Sequence, residues 1–431
     1  MKRKGLDIGP NGHLQVAGCD TVKLSEQFGT PLYVMNKAVI DENALAFTKA
    51  FEKYYNSNGR AIYACKAFCC KEMCRLIAKN GLGLDVSSIG EIHTALSAGV
   101  DAKLLYFHGN NKTYSDIEYA IKNGVGRIIA DNEHELKLID TISRQNGVVT
   151  SILFRVKPGV DAHTHDFIRT GQIDSKFGVA LETGQALEFA IKASNCENIR
   201  LTGLHCHIGS QIFDKHPFFE AAKIMVEFMA ELKNNHGIEI SELDLGGGFG
   251  IRYTDMDDPV PIDDYLRQAC LSVTEHCKKY NLKLPYLIVE PGRSIAGPAG
   301  ITLYTVGTVK NIPKIRDYLL VDGGMNDNPR YALYGAKYTF EVANRMMEPK
   351  DHIYTVAGRA CESGDLLGEN VELQKCQSGD IIAVLDTGAY NYSMSSCYNR
   401  FCRPACVIAD QGEAKLIIKR ESLDDIIKND I

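Results

Sequence analysis

Eight short runs rich in β-branched and aromatic residues, each followed by an amphipathic stretch, constrain this chain more than any other feature of it. The runs are AIYACKA (61–67), LGLDVSS (82–88), LLYFHG (104–109), RIIADN (127–132), SILFRVKPG (151–159), RLTGLHCHIGS (200–210), SELDLGGG (241–248) and PYLIVEPGR (285–293). Between them, segments such as KEMCRLIAKN and PFFEAAKIMVEFMAELKNN repeat apolar residues every three or four positions, the period of a helix with one buried face. Strand alternating with helix predicts a parallel sheet. Eight such units in about 250 residues match the repeat count and length of a (β/α)8, or TIM, barrel. In that architecture the C-terminal ends of the strands carry the chemistry. Lys66, Asp85, His108, Arg155, His207, the glycines Gly246, Gly247 and Gly248, and Glu290 all fall at or just past the end of a run.

After about residue 295 the rhythm changes to strands without intervening helices: ITLYTVGTVKN, DYLLVDGG, HIYTVAGRA, DIIAVLDTG and ACVIADQGEAKLIIKR. With 431 residues the chain exceeds the usual size of one core. The expected fold is therefore α/β plus β, a barrel over 36–295 and a β domain over 296–431. The early strand-like GHLQVAGCD adds residues 1–35 to that second domain.

A net charge of −6 gives no bulk attraction for phosphate backbones, so nucleic acid is not an expected partner. No apolar run reaches membrane-spanning length, and the opening MKRKGLDIGPNGH lacks the apolar segment of a secretory signal. A cytoplasmic chain acting on a small polar molecule is expected. The 14 cysteines show no framework spacing. Cys65, Cys69, Cys70 and Cys74 follow a C-x3-C-C-x3-C pattern that matches none of the usual zinc or iron–sulfur runs, so they are read as small buried hydrophobes and no metal is expected.

A lone lysine at a barrel mouth serves as a point charge for phosphate or as an amine nucleophile; the plainer alternative is a lysine snorkelling from a strand end. In DLGGGFG (244–250) three glycines let backbone amides approach an anion, although a tight packing turn uses them equally well. A dinucleotide fingerprint would need glycine at 251 or 253, where isoleucine and tyrosine stand. In VEPGR (289–293), Glu290 can keep a ring nitrogen protonated and Arg293 can grip a phosphate or carboxylate. LHCHIGSQ (204–211) offers His205 and His207 two residues apart, and DAHTHD (161–166) offers further ligands, so a zinc hydrolase is the rival reading. A flat imidazole against a flat cofactor ring, with Ser210 bonding a phosphate, uses the same residues without a metal.

These segments resemble the fold-type III enzymes that use pyridoxal 5'-phosphate, and among them the diaminopimelate decarboxylases. The likeness covers nearly the whole chain and is carried by YACKAF (63–68), GLGLDVSSIGE (81–91), FHGNNK (107–112), HTHDFIRTGQIDSKFG (163–178), GLHCHIGSQI (203–212), GGGFG (246–250), EPGRS (290–294), RYALYGA (330–336), CESGD (361–365) and GAYNYSMSS (388–396). CESGD and EPGR alone mark only the wider fold-type III group. The resemblance implies a cofactor-binding barrel followed by a β domain. It implies that Lys66 holds the cofactor covalently, with Asp85, His207, Ser210, Gly246, Gly247, Gly248, Glu290, Gly292, Arg293 and Tyr390 around it. Arg293, Arg330, Tyr334, Glu362 and Tyr390 would bind substrate. Cys361 would be the proton donor, supplied across the two-fold interface of a homodimer.

The implied reaction is decarboxylation of meso-2,6-diaminopimelate to L-lysine, the last step of lysine synthesis. A buried Arg330 left without a carboxylate costs roughly 2 kcal/mol or more, which disfavours substrates with a neutral far end. The neighbouring alternatives are a decarboxylase of D-ornithine, D-lysine or a carboxylated polyamine, an amino-acid racemase, and a non-catalytic carrier of the cofactor. Two positions depart from the family: Tyr331 stands where proline is usual, with Pro329 before Arg330, and Cys397 stands where asparagine is common.

Overall fold

Each of the eight runs forms a strand: Gly59–Ala64, Gly83–Val86, Leu105–Phe107, Arg127–Ala130, Thr150–Lys157, Ile199–His205, Glu242–Asp244 and Tyr286–Val289. In this computed structural model, which describes residues 3–160 and 174–431, every strand pairs in parallel with the next. The last returns to the first through Leu287–Val289 and Gly59–Ala61, so the sheet is a closed barrel. A two-residue strand, Val179–Ala180, adds to the fifth barrel strand from outside the ring. Closure leaves no barrel edge with unpaired amides. Ile62, Tyr106, Ile129, Leu153 and Ile288 pack together as a buried cluster of residues from five of the strands. Each is worth about 1.5–3 kcal/mol of burial.

The helices that follow the first four strands begin on side-chain caps. Ser88 accepts from the Glu91 amide, Asn132 from Glu135, and Thr113 forms a reciprocal capping box with Asp116, while Cys70 receives the Met73 amide at 3.5 Å. Such caps satisfy amides that a helix start leaves without partners, for about 1 kcal/mol each. In FHGNNK the last lysine is structural. Lys112 is buried, and its Nζ donates to the carbonyls of Gly109 (2.6 Å) and Ile129 (2.8 Å) and to Glu135 Oε2 (2.8 Å). It ties the loop after the third strand to the fourth strand and to the helix that follows it.

This barrel belongs to a compact unit of Asn43–Gly250 and Asp258–Ser294; the second unit comprises Met1–Glu42, Ile251–Asp257 and Ile295–Ile431. The second unit is organised by the strand Gly300–Ile312. Its first half pairs antiparallel with Ile381–Val384 on one side and Leu32–Asn36 on the other, and its second half with Arg316–Val321 after a break in register at Gly307. Leu32–Asn36 also pairs in parallel with Ala405–Asp410. The N-terminal contribution therefore differs from the expected one. Residues 14–16 and 19–20, from the GHLQVAGCD segment, join Leu6–Ile8 in a small separate sheet, while the unanticipated, fully buried strand LYVMN enters the large sheet. Two apolar clusters fill this unit, one around Tyr304, Val321, Tyr354 and Val384, the other around Leu32, Val34, Leu303 and Val407.

Among the described residues no helix is long and apolar enough to cross a membrane.

Candidate active site

Because the barrel strands are parallel, their C-terminal ends gather at one mouth, and the polar residues that end the apolar runs gather with them. The first strand passes into a single 3-10 turn, Cys65–Ala67, that carries Lys66. Its Nζ lies 3.5 Å from Oδ2 of Asp85, which is buried in the second strand. Lys66 itself is half exposed, whereas its neighbours Cys65 and Ala67 are buried. A buried turn thus holds one amine out towards the mouth.

Beneath it is a dense polar floor. Glu290 Oε1 is 3.0 Å from His108 Nε2 and 3.2 Å from His205 Nε2, and the two imidazoles meet edge to face at 5.0 Å. The distances are short, but the angles are not those of hydrogen bonds: Glu290 Oε1, both His205 ring nitrogens, His108 Nε2, Asp85 Oδ1 and Asp244 Oδ2 are buried and make none with the described residues. Burial alone would raise the Glu290 pKa, but His108 and His205 carry it well below the carboxylate range. Burial, and then the Glu290 charge, push Asp244 well up. Burial also pulls His205 down to about 4, against the Glu290 charge, which raises it.

The GGG turn is shaped by packing. A Cβ on Gly247 would stand 2.2 Å from the Glu290 carbonyl oxygen, and on Gly248 2.6 Å from that of Gly209; Gly246 and Gly248 both have positive φ. Only glycine fits this crowding and these conformations. Two of the tract's amides are already engaged: Gly246 N–H donates to Asp244 Oδ1 at 2.8 Å and Gly247 N–H to His207 Nδ1 at 3.1 Å. The second bond fixes His207 as an acceptor at Nδ1, and burial followed by the Lys66 charge lowers its pKa, so its ring is neutral. Arg293 donates to Ser210 Oγ at 2.9 Å, joining two of the expected anion-binding residues. Gly292 sits where a Cβ would be 3.0 Å from that of Ala64 and 3.1 Å from that of Ala67, so the exit of the eighth strand can lie against the Lys66 turn.

His205 and His207, the pair on which the rival zinc reading rests, face different partners. His205 turns to Glu290 and His108, His207 to the Gly247 amide, and residues 161–166, which would supply the other ligands, lie outside the described residues, as does most of the 163–178 motif.

The remaining expected site residues belong to the β unit. Arg330 opens the short helix Arg330–Tyr334, with Pro329 at its N-cap. Its Nη1 donates to the hydroxyls of Tyr338 (2.7 Å) and Tyr253 (3.1 Å), and its guanidinium lies 5.2 Å from the Tyr253 ring centre. Burial opposes this charge, but the two phenols more than offset it and raise the pKa. Neither tyrosine was singled out from sequence, since neither sits in a motif or at a strand end. At the Tyr331 departure the hydroxyl bonds Glu369 at 2.9 Å, and Pro329 supplies the restrained φ at the helix start. Cys397 Sγ lies 3.5 Å from Glu421. Tyr334, Cys361 and Glu362 are exposed, the CESGD loop being held by Cys361 N–H donating to Asn399 Oδ1 at 2.7 Å. Tyr390 has φ of 64°, a left-handed conformation that a side chain this large adopts only when its surroundings enforce it.

The barrel residues fit pyridoxal phosphate. An ionised, buried Glu290 oxygen with no hydrogen bond suits a protonated ring nitrogen, the turn of Lys66 presents an amine, and Arg293 with Ser210 offers paired donors to an anion.

Comparison with known proteins agrees. The family profile described as the pyridoxal-dependent decarboxylase, pyridoxal binding domain, matches residues 38–297. The diaminopimelate decarboxylase of Bacillus methanolicus is 46% identical across 96% of this chain and 96% of its own length. That of Bacillus subtilis is 45% identical across 98% and 96%. Among solved structures, diaminopimelate decarboxylase from M. jannaschii in complex with L-lysine superposes with a TM-score of 0.92 at 35% identity, covering 100% of this chain and 98% of that one. Lysine/ornithine decarboxylase from Vibrio vulnificus, complexed with putrescine, gives 0.75 at 25% identity, covering 91% and 98%. The chain belongs to the pyridoxal-dependent decarboxylases, in the branch formed by the diaminopimelate decarboxylases.

Proposed function

We propose that this chain decarboxylates meso-2,6-diaminopimelate to L-lysine and carbon dioxide, the last step of lysine synthesis, in the cytoplasm and as a homodimer with shared active sites. The observation that carries the cofactor half of this reading is Glu290, a buried acid held ionised just past the end of the eighth barrel strand. Bound pyridoxal phosphate supplies an electron sink for the pair left behind when the substrate's carboxylate departs. Lys66 would hold the cofactor through its amine, and Asp85, 3.5 Å away, orients that amine. Glu290 keeps the ring nitrogen charged. His207, neutral and fixed by Gly247, offers a flat face to the ring. Ser210 and Arg293 receive the phosphate, with Gly246, Gly247, Gly248 and Gly292 leaving room for it.

The substrate half rests on Arg330. A guanidinium held by the hydroxyls of two phenols suits the carboxylate at the substrate's far end. Tyr334, one helical turn on, and Glu362 serve that carboxylate and the distal amine, and Tyr390 touches cofactor and substrate. Cys361, exposed in its loop, is the acid that returns a proton to the carbon, delivered to the partner subunit's site.

The test is carbon dioxide release by the cofactor-loaded protein from meso-diaminopimelate, D-ornithine, D-lysine and L-arginine supplied separately at equal concentration. Release mainly from meso-diaminopimelate is expected. Release mainly from a substrate without a distal carboxylate would leave the cofactor reading intact and overturn the role of Arg330.

A further inference from the structure

The cysteine run that matched no metal pattern as a sequence is rearranged by the fold. Cys65 lies in the 3-10 turn, Cys69 in the bend after it, and Cys74 one turn into the helix Lys71–Lys79, so their Sγ atoms come within 4.8 Å of one another. Cys70 turns away to cap that helix. All three are free thiols; Cys65 and Cys74 are buried and Cys69 is partly open to solvent. Small buried hydrophobes have no reason to bring three sulfurs to one point.

We propose that Cys65, Cys69 and Cys74 form a three-thiolate site for a thiophilic d10 cation, zinc first, behind the turn that carries Lys66, and that its occupancy lowers turnover.

Zinc–thiolate bonds of about 2.3 Å place tetrahedral sulfurs about 3.8 Å apart. The present limit of 4.8 Å therefore leaves about 1 Å to close, within reach of side-chain rotation. Three protein sulfurs leave a fourth position, and the partly open Cys69 gives it to water. Binding breaks the S–H bonds the thiols still carry, forms three metal–sulfur bonds and sends the protons to solvent; no oxidant or reductant takes part. Cys65 and Lys66 are consecutive in one turn of three residues. A cation that fixes Cys65 restrains the turn whose next residue presents Lys66 3.5 Å from Asp85. The effect on turnover rests on the reading of Lys66 above; the binding does not.

The experiment titrates cadmium into the reduced, cofactor-loaded protein and follows the ultraviolet sulfur-to-cadmium charge-transfer band. One saturating step per chain is expected. Cys69→Ser and Cys74→Ser should each weaken that step by more than about 10-fold, since even outer-shell changes at metal sites cost 10–100-fold. Cys70→Ser, a good helix cap outside the trio, should leave it in place. Circular dichroism and the cofactor's visible absorbance report whether each variant is folded and loaded. The absence of a saturating step in the folded wild type, or an unchanged step in both Cys69→Ser and Cys74→Ser, would overturn the site. Zinc should then lower turnover reversibly on addition of a chelator in wild type and Cys70→Ser, but not in Cys74→Ser. A bound cation with turnover unchanged would overturn the coupling while leaving the cofactor and substrate assignments untouched.

Discussion

Side chains at strand ends were legible because a charge that terminates an apolar run has few structural excuses. Lys66, Asp85 and Glu290 could all be picked out on that ground, and the fold delivers them to one mouth. Tyr253 and Tyr338 could not, since their value lies in where they meet Arg330, a contact between residues distant in sequence. Tyr338→Phe removes the 2.7 Å partner of that guanidinium while keeping the ring. Hydrogen bonds to charged groups are worth about 1.5–3 kcal/mol, so kcat/KM for meso-diaminopimelate should fall about 10-fold or more, chiefly through KM. Steady-state kinetics showing an unaltered KM would refute the positioning role.

A second residue-scale outcome concerns Asp327, buried beside the hydroxyl of Tyr304 and the Gly324 amide, whose pKa burial pushes up to about 7. A carboxyl raised in the folded state stabilises it fully below its ordinary value of 3.8, and that contribution is lost as pH rises through about 7. Relative to Asp327→Asn, which does not titrate, wild type should lose up to a few kcal/mol between about pH 4 and about pH 7. Melting curves for the two proteins running parallel across that range would contradict it.

Elements were legible where periodicity was clean. The eight barrel strands follow the apolar runs to within a few residues, and the helices between them follow the three-to-four spacing. Two elements escaped for physical reasons. LYVMN, buried on both faces, has no alternation to mark it as a strand. The GGG turn reads as an anion cradle or as a packing device, and only coordinates reveal a carbonyl 2.2 Å from where a Gly247 side chain would begin. Gly247→Ala should therefore destabilise the barrel by about 1–3 kcal/mol and disturb Glu290, whose carbonyl must yield. Urea unfolding together with the cofactor's absorbance measures both, and a variant with wild-type midpoint and spectrum would show that the turn has room to relax.

For the whole molecule, sequence pattern supplied two architectures and a change of rhythm between them, while subunit sharing came only from resemblance. If Cys361 works in the neighbouring subunit, mixing the inactive Lys66→Ala and Cys361→Ala proteins, with exchange verified by labelled chains, should restore up to about a quarter of wild-type turnover. That figure is the random-assortment estimate, in which half of the dimers are mixed and each has one intact site. No recovery despite proven exchange would assign acid and lysine to a single chain.

The strand Leu32–Asn36 has a consequence in time. It is made early by the ribosome, yet its two sheet neighbours, Gly300–Ile312 and Ala405–Asp410, are made about 270 and about 370 residues later. The barrel sequence is complete on the ribosome before either neighbour exists, so it can fold while this apolar segment waits unpaired. An arrest of translation after the barrel ends at residue 294 and before residue 405 leaves a finished barrel preceded by a mostly apolar strand that lacks at least one of its two neighbours, the kind of nascent species that holdase chaperones bind.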